Sequence, residues 1–207
     1  ILPNFNDSYY VQIFQGIETA FQNSDYFLNV AFTYDIPEVE ENIARNFLKK
    51  QVCGLILVSC QPDQWKFYYD NFTAKGKPVV MLDRLVRSLE ANFICVDNET
   101  DIYHLTKRLR ERGYEKLCLF AGPQGFECED NCRRGFLSAH SELGYSIAEN
   151  GIIQTELNKE DAFRNAIRLL KRDVPDAIIT TCESTATGVT EGLRLLGFGA
   201  QDIHVLA

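Results

Sequence analysis

Residues 77–84 read KPVVMLDR. Consecutive apolar residues behind a proline are too short a run for a helix and suit a strand buried on both faces, the kind that parallel sheets contain. The charged pair Asp83 and Arg84 comes directly after it. In an open α/β sheet the carboxyl ends of the strands face the ligand crevice, so a polar pair there is placed to touch a ligand. The competing reading is that Asp83 caps the next turn and Arg84 is solvated.

Outward from this run the chain alternates strands and helices. Apolar, β-rich runs predict strands over 28–34, 54–58, 93–96, 117–121, 151–154, 177–181 and 203–207, and residues 1–3 read as the tail of another. Helical spacing places Tyr10, Ile13, Phe14, Ile17 and Phe21 on one helix, after a loop holding the capping residues Asp7 and Ser8. Pro37 opens a helix with the stripe Val39, Ile43 and Phe47, and Pro62 one carrying Trp65, Tyr68 and Phe72 that Gly76 closes. Later stripes run through Ile102, Leu105 and Leu109, through Phe136, Leu137 and His140, through Phe163, Ile167 and Leu170, and through Val189, Leu193 and Leu196. Strands separated by such helices predict an α/β fold with two parallel sheets in series, each flanked by helices and joined by right-handed crossovers. The turn Gly122-Pro123 is the best boundary, dividing the chain into 1–121 and 122–207.

With 207 residues, 45% of them hydrophobic, the chain can bury one sizeable core or two smaller ones. A net charge of −8, with no block of basic residues, argues against a nucleic-acid surface on these residues, because counterion release needs clustered positive charge. No apolar run approaches the roughly 20 residues that span a bilayer, so no membrane segment is expected, and the opening ILPNFN is not a signal peptide.

Seven cysteines at irregular spacing, with Cys53, Cys95 and Cys118 in or beside apolar runs, read as small buried hydrophobes in a reducing compartment. Cys128 and Cys132 can share a helix face, but no C-x-x-C and no neighbouring His completes a metal site. The glycine-rich and nucleophile motifs of dinucleotide, phosphoryl and acyl chemistry are missing, as is H-E-x-x-H, and none of the three His is paired with a nucleophile. No catalysis, cofactor or metal is therefore expected.

The ordered blocks PNFNDSYY, VCGLILV, KPVVMLDR, VDN, RGYEKL, AGP, RGF and DIHVLA resemble the effector-binding region of the lactose-repressor family of bacterial transcription regulators. The resemblance covers essentially the whole chain, and PVVMLDR with TTCESTATGV and DIHVLA is similar to the fructose, catabolite and sucrose repressor branch. It implies a two-lobed fold of the type I periplasmic-binding-protein kind, with a sugar or sugar phosphate in the cleft. It further implies a homodimer in which effector binding changes the lobe angle, and DNA contact only through a helix-turn-helix segment that this chain lacks. On this reading 1–121 is the amino-terminal lobe and 122–207 a partial carboxyl lobe without its returning strands, so the chain looks like a truncated, cytoplasmic effector module.

Residue by residue, Tyr9 and Tyr10 match the family's aromatic pair that stacks on a ligand ring, and Asp7 and Ser8 the short polar positions before it. Asp83 and Arg84 match the pair that bonds ligand hydroxyls, Asp97 and Asn98 the polar cleft edge, and Glu183 an acidic position of the carboxyl lobe. One departure matters. The family's pocket arginine, three residues before the glycine of the RGF block, is Cys132 here, and Arg133 and Arg134 are the candidates to replace it. Trp65, Tyr68 and Tyr69 are the aromatics available to line a dimer surface. The alternatives are a sugar transporter's solute-binding protein, which should carry a signal peptide and few thiols, and an α/β enzyme, which needs a polar constellation not found here.

Overall fold

The computed structural model describes residues 1–5 and 7–207. In chain order the elements are α1 (Ser8–Phe21), α2 (Pro37–Lys49), β1 (Leu55–Leu57), α3 (Trp65–Asn71), β2 (Val79–Leu82), β3 (Asn92–Ile94), α4 (Asn98–Glu111), β4 (Leu117–Ala121), α5 (Glu127–Glu142), β5 (Ile152–Gln154), α6 (Lys159–Leu170), β6 (Ala177–Thr180), α7 (Glu183–Leu195) and β7 (His204–Leu206). The chain forms two compact units, Ile1–Val96 and Asp97–Ala207.

In the first unit β1, β2 and β3 pair in parallel, with β2 in the middle. The sheet continues beyond β1 through backbone pairing. Val58 N donates to Ile1 O, and Leu2, which bridges Phe32 in parallel, donates to Ala31 O, each at 3.0 Å. The predicted strands at 1–3 and 28–34 are thus present as short pairing segments. As the sequence suggested for β2, both faces are used: Val79 and Met81 enter a core with Tyr68 and Phe72, while Leu82 enters another with Leu2 and Tyr10. Fully burying side chains of this size contributes about 1.5–3 kcal/mol each.

The second unit has the parallel order β5-β4-β6-β7. The strand period of two divides β4 cleanly. Cys118 and Phe120 pack with Ala162, Ala166 and Val189 of α6 and α7, whereas Leu117, Leu119 and Ala121 pack on the side of Leu109 and Phe136. Two glycines let the helices on each face approach: a methyl group at Gly135 of α5 would run into the Glu99 carbonyl of α4, and one at Gly188 of α7 into the Lys159 carbonyl of α6. His140 is buried, its Nδ1 2.8 Å from Phe136 O.

The units meet in sequence between Val96 and Asp97, where the residues alone pointed to Ala121 and Gly122. The reason is strand pairing. β4 lies between β5 and β6, and α4 packs on α5, so the stretch from Asp97 to Ala121 joins the second unit. Two further expectations need correction. Cys118 is buried, but Cys53 and Cys95 are exposed, because one lies in the turn before β1 and the other just past edge strand β3. Tyr68 is fully buried and no surface aromatic, unlike Trp65 and Tyr69.

Candidate functional site

The polar residues of the first unit gather at the carboxyl ends of its strands. Asp7 caps α1: its Oδ1 accepts from Tyr9 N at 3.0 Å, and its own N donates to Asn4 Oδ1 at 2.9 Å. Ser8 is the exposed first residue of the helix, its carbonyl accepting from Gln12 Nε2. The cap aims the first turn so that the Tyr9 and Tyr10 rings meet edge to face, centroids 5.2 Å apart. Tyr10 is only 7% exposed and Tyr9 39%.

Asp83 sits directly after β2 with φ +60°, a left-handed conformation that Asp tolerates better than most residues. Its N donates to Ile94 O at 2.8 Å, and its Oδ2 accepts from the Tyr10 hydroxyl at 3.1 Å. Burial pushes the Asp83 carboxyl above its ordinary value of 3.8; the Arg84 guanidinium and hydrogen bonds from Tyr10 and Tyr9 offset this in part. Burial likewise pushes the Tyr10 hydroxyl up. Asp7, Tyr9, Tyr10 and Asp83 thus form one constellation.

Arg84 behaves differently from its neighbour. It is 5% exposed, and its guanidinium is held by Asp35, through Nη1 to Oδ1 and Nη2 to Oδ2. Asp35 comes after Tyr34, and both have left-handed φ angles, 57° and 53°. Sequence reasoning missed Asp35, although it stands behind the 28–34 run just as Asp83 stands behind β2. It also missed Glu40, a fully buried carboxylate of α2 that accepts from Ser59 Oγ and Cys60 N, each at 2.6 Å, and from the Tyr68 hydroxyl. Glu40 thereby fixes the turn after β1. Burial and this carboxylate push the Cys60 thiol well up.

In the second unit Asp97 caps α4, accepting from Thr100 N at 3.2 Å, and Asn98 is that helix's first residue. At the end of β4, Gly122 is gripped from both sides: its N donates to buried Glu129 Oε2 at 2.6 Å, and its O accepts from Arg133 Nη2. Arg133 is 8% exposed, with Nη1 3.7 Å from Asp130 Oδ1 and lacking a hydrogen-bond partner among the described residues. Arg134 points elsewhere. Its exposed guanidinium pairs with Glu99 at 2.9 Å and Glu127 at 3.2 Å. Cys132, next to Arg133 in sequence, is buried. Glu183 opens α7 behind Cys182, whose Sγ lies 3.2 Å from Thr185 Oγ1, and the neighbouring Thr181 hydroxyl is buried without a hydrogen-bond partner among the described residues. Among the described residues no group of ligating side chains could hold a metal, and no helix is long and apolar enough to cross a membrane.

Residues 1–205 match the family described as periplasmic binding proteins and sugar binding domain of LacI family. Among curated proteins, the chain is 27% identical to an HTH-type transcriptional repressor PurR of Glaesserella parasuis over 100% of its own length and 61% of the repressor's. Among solved structures, it is similar to the Cra transcriptional dual regulator of Pseudomonas putida in complex with fructose 1-phosphate, with TM-score 0.87, 23% identity, and coverage of 94% of this chain and 72% of that one. It is also similar to a LacI family transcriptional regulator of Lactobacillus casei with bound sucrose, with TM-score 0.81, 19% identity, and coverage of 99% and 76%. The chain spans about 60% of the length of the curated relatives it matches.

Proposed function

The chain belongs to the family of periplasmic binding proteins and LacI-type sugar-binding domains, and from that membership we propose that it is the effector-binding and dimerisation module of a bacterial, cytoplasmic, DNA-binding transcription regulator. Its effector is a small polyhydroxy compound of the sugar or sugar-phosphate kind. Effector binding shifts the lobes, and DNA affinity responds through a helix-turn-helix segment outside these residues. The chain acts by binding and not by catalysis.

The observation that carries this reading is the hydrogen bond from Tyr10 to Asp83, with Tyr9 and Asp7 beside it at the strand ends. Ring faces suit the C–H face of a sugar, and carboxylates suit its hydroxyls. Calorimetric titration with mono- and disaccharides and their phosphate esters tests it. Saturable binding that Asp83→Ala abolishes is expected; a whole panel without heat overturns the reading. Sedimentation of the protein at micromolar concentration tests the pairing, and a monomer alone contradicts it.

A further inference from the structure

We propose that the effector is uncharged or positively charged, a free sugar or an amino sugar, and that this module rejects phosphate esters. The inference rests on the reading above and narrows its ligand class. A phosphate needs free cationic side chains or the bare amino end of a helix, where backbone N–H groups and the dipole favour an anion. At the carboxyl ends of the strands, Arg84, Arg133 and Arg134 face carboxylates, and the first turns of α4, α5 and α7 carry carboxylates of their own.

The arginines come first. In the first unit Arg84 is buried and its guanidinium is matched by the Asp35 carboxylate. In the second, Arg133 is buried on the Gly122 carbonyl, with Asp130 at 3.7 Å and Glu129 on the other side of the same glycine. Arg134 is shared between Glu99 and Glu127. What remains on Arg133 is Nη1, without a hydrogen-bond partner among the described residues but with its charge compensated by Asp130 at 3.7 Å.

The helix ends carry acidic groups. Asp7 accepts from one first-turn N–H of α1 and Asp97 from one of α4, which also carries Glu99 and Asp101 in its first turn. The opening turn of α5 holds Glu127, Glu129 and Asp130, and that of α7 holds Glu183. A phosphate approaching any of these ends meets a carboxylate, and like charges at close range repel. The same carboxylates accept from hydroxyl and ammonium donors. The buried hydroxyl of Thr181 just past β6, without a hydrogen-bond partner among the described residues, adds one more neutral polar group.

Titration of the full chain with neutral sugars, amino sugars and the phosphate ester of each, together with inorganic phosphate, decides the matter. The expected result is that the best free sugar or amino sugar binds at least about tenfold more tightly than its phosphate ester, and that inorganic phosphate neither binds nor competes. The double variant Asp97→Asn, Glu183→Gln, which strips two helix ends of their own charge, should narrow that ratio about two- to fivefold. A phosphate ester that binds more tightly than its parent sugar, or a ratio untouched in the double variant, overturns the charge class while leaving the effector-module reading intact. Silence from every compound overturns that reading and this inference together.

Discussion

The Tyr10 hydroxyl donates to Asp83 Oδ2 at 3.1 Å across 73 positions of sequence, tying the first turn of α1 to the end of β2. Tyr10 is 7% exposed and packs with Leu2, Val58 and Leu82, so the same side chain holds the sheet to its helix and orients the carboxylate. Tyr9, one residue earlier and 39% exposed, also hydrogen-bonds Asp83 but lies outside that buried cluster. The tyrosine pair therefore divides its labour, although adjacent sequence positions suggest equivalence.

This division sets the first prediction. Tyr9→Ala should weaken effector binding by about 1–3 kcal/mol and leave the unfolding midpoint nearly unchanged. Tyr10→Ala should cost about 3–5 kcal/mol of stability, since a large buried ring is lost. Tyr10→Phe keeps the packing and removes one hydrogen bond to a carboxylate, at a cost of about 1.5–3 kcal/mol. Urea unfolding and ligand titration on the three variants separate these effects; a Tyr9→Ala protein as unstable as Tyr10→Ala contradicts the division.

Asp83→Asn should trade binding for stability in a pH-dependent way. Burial raises the folded-state value of this carboxyl above the ordinary 3.8, so the folded state favours its protonated form. The stability associated with Asp83 is then complete below 3.8 and is lost as pH rises through the raised folded value. Asn does not titrate and accepts the left-handed φ as readily as Asp. The midpoint of the variant should therefore match the parent in acid and exceed it at neutral pH, while effector affinity falls. Thermal scans at acid and neutral pH decide it, and a variant less stable at neutral pH refutes the sign.

Whether a feature was legible in the sequence depends on whether its cause is local. The strands and helices were legible, because apolar periodicity and flanking Gly and Pro act over a few residues: β2 lies where KPVVMLDR put it, and Gly76 closes its helical segment with φ +72°. The unit boundary was not, since it depends on β4 choosing β5 and β6 as neighbours, a nonlocal matter. Asp7, Tyr9, Tyr10 and Asp83 stand out in the sequence, and the fold brings them together. Asp35 and Glu40 do not stand out. Their partners Arg84, Ser59 and Tyr68 lie tens of residues away, and an acidic residue inside an amphipathic helix ordinarily marks the solvated face.

Glu40 gives the sharpest stability test in the first unit. Its fully buried carboxylate accepts from Ser59 Oγ, Cys60 N and the Tyr68 hydroxyl. Glu40→Ala strands all of these donors and opens a cavity, and should cost about 3–5 kcal/mol. Glu40→Gln keeps the shape and one acceptor oxygen, and should cost about 1–3 kcal/mol. Chemical unfolding ranks the two; a Gln variant no better than Ala shows that volume, and not hydrogen bonding, holds the turn after β1.

Arg133 and Arg134 should respond to the same substitution in opposite ways. Arg133 is 8% exposed, its Nη2 serves the Gly122 carbonyl, and Glu129 and Asp130 lie around the same turn. Arg133→Ala leaves that carbonyl without its donor and the nearby acidic groups less compensated, which should cost about 2–4 kcal/mol of stability. Because Nη1 has no hydrogen-bond partner among the described residues, the same change should also weaken effector binding. Arg134 has a half-exposed side chain, with Glu99 and Glu127 as solvated partners. Surface pairs of that kind contribute at most about 1 kcal/mol, so Arg134→Ala should change stability little and effector affinity not at all. Arg133→Lys adds a control: a flexible ammonium can reach the Gly122 carbonyl but cannot keep a second N–H fixed in place, so stability should recover more than affinity does. Unfolding and titration of all three proteins check this pattern. Loss of affinity in the Arg134 variant but not in the Arg133 variant would show that the outer arginine meets the ligand and the inner one serves the fold alone.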